Sequence, residues 1–590
     1  MTYRAPVADM IFTMRHVAAL DEGIASGLYH DLADGMAEAV LEEASKFATD
    51  RLAPLNAIGD RAGSKLSNGE VTTPPGWREA YSDWAAAGWT AITANPDFGG
   101  QGLPTLLGSA CSEIWNAANM AFSLNPLLTV GAVEAVNAHA TDELKQRYLA
   151  RMISGEWTGT MNLTEPQAGS DLSALRSKAE RQGDGSYRIT GQKIFITYGE
   201  HDLTENIIHL VLARLPDAPA GTRGISLFLV PKFLVNDDGS LGTRNDVRCS
   251  GVEHKLGIHA SPTCTMSYGD NGGAIGWLIG EENRGLNCMF TMMNNARLNV
   301  GLQGVAIAER AYQQALSFAQ DRKQGKIPGE TSMSPIIRHP DVKRMLLDMR
   351  TKTAASRAIC YAVAVALDKA HRLEDKAAGE EASILTPVAK AFSTDIGIEV
   401  ASTGVQIHGG MGFVEETGAA QHYRDARIAT IYEGTNGIQS IDLVTRKLPL
   451  SDGKAVTKII ARYREAAKTL SGVNDPAFGR SGERLSQAVE SLERCTEWMI
   501  KALGNAQADA LAGATPYLRL FGVVAGGAYL AEVALAARKE SAAGDTDPAH
   551  VQRLRDCRFF IENQTSLAEG LEAAITEGAD AVNAAYGDAA

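Results

Sequence analysis

Three segments of this 590-residue sequence place polar or acidic side chains beside glycine, a combination that can hold a ligand. In segment 161–171, the hydroxyls of Thr164 and Ser170 and the backbone around Gly169 could bind polar ligand atoms. A turn followed by a helix cap explains the same residues equally well, because Ser and Asp favour that role. Taken alone, this segment favours the simple turn.

The second segment, 406–413, contains consecutive glycines, Gly409 and Gly410, which allow a ligand to approach the backbone closely. A tight turn between helices is the alternative, since the spacing differs from the dinucleotide-binding fingerprint. His408 is expected to be a structural histidine. In the third segment, 431–439, Glu433 lies among apolar residues; in a dry pocket its pKa would rise towards that of a useful base. A helix-capping Glu is the alternative.

The elements around these segments change character along the chain. Apolar residues recur with a helical period over 31–155, alternate as in β-strands over 156–285, and return to a helical period over 286–450. A polar break then precedes a further helical region, 451–590, and residues 1–30 form an N-terminal extension. The sequence therefore predicts an α+β protein with helical, β-rich, helical and additional helical domains, in that order.

Composition excludes several classes of protein. A net charge of −14 argues against a nucleic-acid-binding surface. The seven cysteines are scattered, without metal-binding spacing, so we expect reduced thiols and no metal site. The N-terminus lacks the pattern of a secretory signal. The apolar stretch 520–531 has about a dozen residues, too few for a membrane span, so we expect a cytoplasmic protein without one.

The three segments, in this order and at these intervals, resemble the acyl-CoA dehydrogenase family. The resemblance spans about residues 31–448 and includes further matches: 96–102, 145–152, 191–197, Arg297, 321–323 and 424–430. It implies an N-terminal α-helical domain, a middle β-barrel-like domain and a C-terminal four-helix-type bundle. The helical domain after residue 450 is additional, and we expect it to serve packing or oligomerisation.

The resemblance implies FAD as the cofactor. Phe195 stands where many relatives carry tryptophan, which preserves a flat stacking surface. Arg322 matches an arginine that reaches the FAD pyrophosphate of a neighbouring subunit, and a guanidinium suits a diphosphate because its donors form a fixed fork. The residues implied to bind FAD are Leu163, Thr164, Gly169, Ser170, Phe195, Thr197, Arg322, Gln406, Gly409, Gly410 and Thr435.

By the same resemblance, Glu433 is the base that removes the α-proton of an acyl-CoA thioester. The β-hydrogen leaves as hydride, giving a trans-2-enoyl-CoA. Some relatives carry their base just before the arginine matched by Arg297, but this sequence has Ala296 there. The residues implied to bind substrate are Ser170, Arg297, Tyr432, Glu433 and Gly434.

The terminal extensions resemble a large bacterial branch of the family. Its members suggest oxidation of 3-methylthiopropionyl-CoA to 3-methylthioacryloyl-CoA in dimethylsulfoniopropionate breakdown. Met289, Met292 and Met293 would suit a thioether, although core packing is the simpler explanation. Alternatives are a short-, medium- or long-chain fatty acyl-CoA dehydrogenase, an acyl-CoA oxidase, or a flavin-binding protein without this activity. The expected partners are an electron-transfer flavoprotein and further copies of the chain, in a homodimer or larger oligomer.

Overall fold

The computed structural model describes residues 3–329 and 331–585. Its N-terminal part is helical, as predicted, apart from one short hairpin. The hairpin turns at Asn68 and Gly69, which both have positive φ, the pair that favours tight two-residue hairpins. The elements are α1 (Val7–His16), α2 (Leu20–Ser26), α3 (Met36–Phe47), α4 (Ala53–Ala62), β1 (Lys65–Ser67), β2 (Glu70–Thr72), α5 (Trp77–Ala86), α6 (Thr105–His139) and α7 (Asp142–Ile153).

The β domain follows, and its main sheet closes on itself. The strand order is β10-β11-β5-β12-β7-β6-β3, and β4 pairs with both β5 and β6, the latter through Lys178 and Arg214. The circuit β4-β5-β12-β7-β6 confirms the predicted barrel-like domain. The strands are β3 (Trp157–Asn162), β4 (Lys178–Arg181), β5 (Tyr187–Thr197), β6 (Asn206–Arg214), β7 (Ile225–Pro231), β8 (Phe233–Val235), β9 (Leu241–Arg244), β10 (Val247–Val252), β11 (Thr263–Tyr268) and β12 (Ala274–Ile279).

A second helical region packs on α6 through α8 and α9. Gly304 allows α8 and α10 to approach closely, because a Cβ there would lie 2.2 Å from the Ser393 carbonyl oxygen. The Asp375 side chain caps α10 by accepting bonds from two backbone N–H groups. The helices are α8 (Gly285–Asp321), α9 (Pro340–Arg372), α10 (Lys376–His408), α11 (Ala419–Ala426) and α12 (Asn436–Asp442).

The additional C-terminal domain surrounds one apolar helix, α16. This helix is long and apolar enough to cross a membrane, but 83% of its most apolar window is buried inside the protein. The predicted apolar stretch 520–531 is thus part of a longer core helix. The helices are α13 (Lys454–Gly472), α14 (Ser481–Asn505), α15 (Gln507–Ala512), α16 (Ala514–Ala542), α17 (Ala549–Gln564), α18 (Ala568–Glu577) and α19 (Ala579–Asn583).

The N-terminal extension joins the two ends of the chain. Phe12 of α1 packs with Val533 and Ala537 of α16. Arg553 of α17 donates to Asp9 at 3.0 Å, and its guanidinium lies 3.7 Å from the centre of the Phe12 ring. The extension therefore packs between the outer helical domains.

Candidate functional site

A cavity of about 750 Å³ lies between the β domain and the second helical region. Its β-domain wall consists of the loop after β3, the end of β5 and residues 253–258. Its helical wall consists of α8 and residues 424–438. Most of the predicted site residues line it: Leu163, Thr164, Gly169, Ser170, Phe195, Thr197, Arg297, Tyr432, Glu433, Gly434 and Thr435.

A buried ion pair fixes the loop that follows β3. The Glu165 carboxylate accepts bonds from Lys193 Nζ at 2.8 Å and from the backbone N–H of Arg176 at 2.7 Å. Burial alone would raise the pKa of Glu165, but Lys193 and these donors hold it at about 2. Lys193 also donates to the Leu163 carbonyl at 3.0 Å. The pair therefore holds Leu163 and Thr164 at the cavity wall.

The end of β5 presents an aromatic ring to the cavity. Phe195 is 57% exposed and lines the cavity. Its φ is +61°, a left-handed conformation that is strained for any residue with a Cβ. Next to it, Thr197 accepts a bond from Thr160 through its carbonyl oxygen at 2.7 Å. This wall offers a flat apolar face and a nearby hydroxyl group.

On the opposite wall, Glu433 and Gly434 also have positive φ, +56° and +84°. Three of the eleven positive-φ non-glycine residues in the described part of the chain line this cavity: Phe195, Ile258 and Glu433. Such backbone strain costs about 1–3 kcal/mol per residue and clusters at functional sites.

Neighbouring side chains hold the Glu433 turn in place. Gln439 Nε2 donates to the Glu433 carbonyl at 3.1 Å, and Lys390 Nζ donates to the Gly434 carbonyl at 2.9 Å. The Thr435 hydroxyl caps α12 by accepting a bond from the Ile438 N–H. Thr435, which the resemblance assigned to FAD, therefore has a structural task as well.

The environment of Glu433 suits a general base. Burial raises the pKa of its carboxyl group, and the positive charges of Arg297 and Lys390 partly oppose this rise. Arg297 itself is buried and lies 3.5 Å from the Asp442 carboxylate. At Ala296, where some relatives carry the base, the structure has a buried methyl group. A carboxylate with a raised pKa in a largely apolar cavity can accept a proton from a weak carbon acid.

Four predicted FAD residues do not line the cavity. Arg322 directly follows α8, and Gln406, Gly409 and Gly410 lie at the end of α10; all four are exposed. These two helix ends are adjacent, because the ring of Phe318 stacks on His408 with centroids 4.4 Å apart. The four residues thus share one end of the bundle, and their assignment to a neighbouring subunit's FAD remains a prediction. His408 is buried and bonds to the Gly404 carbonyl, a structural arrangement.

The residues that support the site escaped the sequence analysis. Glu165, Lys193, Lys390 and Gln439 bond to backbone groups at the cavity wall, yet each looks unremarkable in its own segment. A lysine inside the alternating strand 187–197 was the one sequence signal for these supporting residues.

Among the described residues, one group has the chemistry of metal ligands. It lies at the end of α16, and its side chains contact one another: Glu540, Asp545 and His550.

Known family profiles match the chain along most of its length. They are described as the N-terminal domain of acyl-CoA dehydrogenase (residues 36–156), its middle domain (160–270), its C-terminal domain (283–448), and an acetyl-CoA dehydrogenase C-terminal-like domain (454–585).

Individual relatives cover nearly the whole chain. The 3-methylmercaptopropionyl-CoA dehydrogenase of Ruegeria pomeroyi is 48% identical over 549 residues, 92% of this chain and 93% of that protein. The broad-specificity linear acyl-CoA dehydrogenase FadE5 of Mycobacterium tuberculosis is 31% identical over 95% of both chains. The structure of a Bacillus anthracis acyl-CoA dehydrogenase complexed with FAD has the same fold, with a TM-score of 0.76 at 20% identity, over 92% of this chain and 88% of that one.

Proposed function

This chain belongs to the acyl-CoA dehydrogenase family and depends on FAD, and we propose that Glu433 is its catalytic base and 3-methylthiopropionyl-CoA its substrate. The observation that carries the assignment of the base is the placement of Glu433. Its side chain is half-buried, has a raised pKa, and faces the same cavity as Phe195 and Thr197.

The cavity fits FAD in size and in the chemistry of its walls. The exposed ring of Phe195 offers a stacking surface, and the hydroxyls of Thr164, Ser170 and Thr197 offer hydrogen bonds. Leu163, Gly169 and Thr435 complete the set of residues that would hold FAD in this subunit. When bound, FAD supplies the two-electron acceptor that takes the β-hydrogen as hydride.

The chain's own residues perform the proton transfer. Glu433 removes the α-proton and keeps it on a carboxylate oxygen, while the Cα–Cβ bond becomes a trans double bond. Negative charge that develops on the thioester oxygen needs a donor, and the backbone N–H of Glu433 is the donor that the family resemblance implies. The fixed turn at Glu433 and Gly434 orients that N–H. Ser170, Arg297, Tyr432 and Gly434 complete the proposed substrate site.

Two observations support the thioether substrate. The Ruegeria pomeroyi relative, 48% identical, carries the name of this activity. Met293 lines the cavity, and its polarisable sulfur suits a thioether, whereas Met289 and Met292 are fully buried in the core. The Mycobacterium tuberculosis relative supports a second candidate, oxidation of straight-chain fatty acyl-CoA.

The proposed partners follow from the family. An electron-transfer flavoprotein would reoxidise the flavin, and a homodimer or larger oligomer would bring the exposed Arg322, Gln406, Gly409 and Gly410 to a neighbouring subunit's FAD. We further propose that the protein works in the cytoplasm.

The test is anaerobic reduction of the FAD-loaded protein by 3-methylthiopropionyl-CoA and by straight-chain C4 to C16 thioesters. We expect the thioether to bleach the flavin fastest, and Glu433→Gln to abolish bleaching while FAD stays bound. Glu532→Gln is the matched control, because burial also raises the pKa of this remote carboxyl, to about 7. Faster bleaching by a straight-chain thioester would move the proposal to the fatty acyl substrate. Bleaching that survives in Glu433→Gln would refute the assignment of the base.

A further inference from the structure

Lys390 is a buried lysine that contacts the catalytic turn from behind. It lies on α10, and its residue has no exposed surface. Its ammonium group donates to the Gly434 carbonyl at 2.9 Å and to Asn436 Oδ1, also at 2.9 Å. A charged group is costly to bury, so these two hydrogen bonds must offset the cost of burying the ammonium group.

The same face of α10 holds Asn436, the residue that begins α12. Asn436 Nδ2 donates to Asp395 Oδ1 at 2.8 Å, to Thr394 Oγ1 at 3.1 Å and to the Ala391 carbonyl at 3.2 Å. Residues of two successive turns of α10 therefore anchor the turn that carries Glu433. This anchoring offsets the backbone strain at Glu433 and Gly434.

The charges around Glu433 come from two helices. Arg297 approaches from α8 and Lys390 from α10, and both charges favour the ionised carboxylate. Arg297 is shared with Asp442, which also pairs with Arg446. The acidic groups that act on Lys390 are Glu433 and Asp395, while Arg297 repels its charge.

The charge of Lys390 is itself sensitive to its surroundings. Burial lowers the pKa of Lys390 to about 7, while Glu433 and Asp395 oppose this change. A lysine that served packing alone would gain nothing from placing its ammonium group beside a carbonyl and an amide oxygen in the interior.

We propose that Lys390 is a positioning residue for Glu433: its two hydrogen bonds fix the turn 433–436, and its positive charge sets the pH at which Glu433 can accept the substrate proton. This inference rests on the proposed role of Glu433 as the base. An alternative is that Lys390 only pins the turn, in which case its removal slows the reaction equally at every pH.

The experiment measures the rate of anaerobic flavin reduction between pH 5.5 and 9 in stopped flow, using the thioester that bleaches the wild type fastest. Lys390→Gln keeps a donor but loses the charge, and Lys390→Arg keeps the charge. A neighbouring opposite charge lowers a carboxyl pKa by roughly 1–3. We therefore expect the midpoint of the pH–rate profile to lie at least about one pH unit higher in Lys390→Gln than in the wild type. Lys390→Arg keeps the positive charge over this whole pH range, so its midpoint should not rise above that of the wild type.

Lys352→Met is the control, since Lys352 pairs with Asp348 on its own helix, α9, and with Glu399 on α10, and does not line the cavity. Its midpoint should stay unchanged. A lower rate in Lys390→Gln with an unchanged midpoint of the pH–rate profile would show that Lys390 only fixes the turn by hydrogen bonds, and would overturn the proposal. If Glu433→Gln still reduced its flavin, the proposed base would fail instead, so the two failures are distinguishable.

A second measurement needs no turnover. The unfolding free energy of FAD-free protein is compared with that of its Glu433→Gln variant across pH, with and without Lys390→Gln. The raised pKa of Glu433 means that this difference falls as the pH rises through the folded-state value. The fall begins at the unfolded-state pKa in both backgrounds, but with Lys390→Gln it should extend to higher pH and be larger. A fall of the same extent in both backgrounds contradicts the proposal.

Discussion

The turn at Glu433 makes Gly434→Ala an informative substitution. Gly434 has a φ of +84°, and a Cβ there would lie 2.7 Å from Gln439 Nε2, the atom that bonds to the Glu433 carbonyl. Left-handed alanine costs about 1–2 kcal/mol, and the displaced hydrogen bond costs about 1 kcal/mol more. The turn must therefore absorb about 2–3 kcal/mol or change its conformation.

If the turn relaxes, the Glu433 carboxylate and N–H leave their positions. The activation free energy of flavin reduction then rises by about 2–3 kcal/mol, which corresponds to a reduction roughly 30- to 150-fold slower. The assay is single-turnover anaerobic reduction at saturating thioester, with FAD content checked by absorbance. We expect FAD binding to persist, because Gly434 adds no side chain to the stacking wall.

Gly437→Ala is the matched control, three residues along the same segment. Gly437 lies in the first turn of α12, and a Cβ there would meet only Thr435 Oγ1, at an ordinary 3.7 Å. Alanine should leave the rate unchanged and raise stability by about 0.4–1 kcal/mol. A Gly434→Ala protein that reduces its flavin within about threefold of the wild-type rate would refute the argument. Equal losses in both variants would attribute the effect to the helix instead.

Three further predictions concern burial, stacking and charge. Burial raises the pKa of Asp425 to about 6, so the folded protein loses stability as the pH rises from about 4 to 6. In denaturant titrations at both ends of this range, Asp425→Asn should remove up to about 3 kcal/mol of this pH dependence. An unchanged dependence of the unfolding free energy on pH would contradict this prediction. Phe195→Ala should weaken FAD binding about tenfold in fluorescence titrations with little change in the Tm of FAD-free protein, since the ring is 57% exposed; unchanged affinity would exclude stacking. Arg357 is buried between Glu113 and Glu309, at 2.8 Å from each. Arg357→Met should lower the unfolding free energy by about 3–5 kcal/mol. A loss below about 1 kcal/mol would show that these ion pairs are solvated.

Sequence patterns predicted the order of domains because helical and β periodicity depends on local residues. Strands β3 to β12 all lie within 156–285, the segment whose residues alternate as in β-strands. The hairpin at Asn68 and Gly69 was missed although its turn pair is a local signal, because the surrounding helical pattern dominated the interpretation. The fold class is confirmed, while the domain boundaries remain predictions.

The site was predicted only in its lining residues. Motif resemblance identified Glu433 and Phe195, which face the cavity, but it gave no account of their strained backbone. The supporting contacts join distant segments: Lys390 and Gly434 are 44 residues apart, and Lys193 and Glu165 are 28 apart. A lone lysine in a helix or strand carries no local mark of such a partner, so these interactions required the folded structure.

The contact between Arg553 and Asp9 spans 544 positions of the chain. During synthesis, α1 leaves the ribosome long before its partners on α16 and α17 are made. At 5–20 residues per second, the interval is roughly half a minute to two minutes. During this interval, the apolar ring of Phe12 lacks the surface of α16 against which it packs in the folded protein. The packing of α1 therefore waits until α16 and α17 have been synthesised, and a nascent chain that stops before them would leave this apolar surface of α1 exposed.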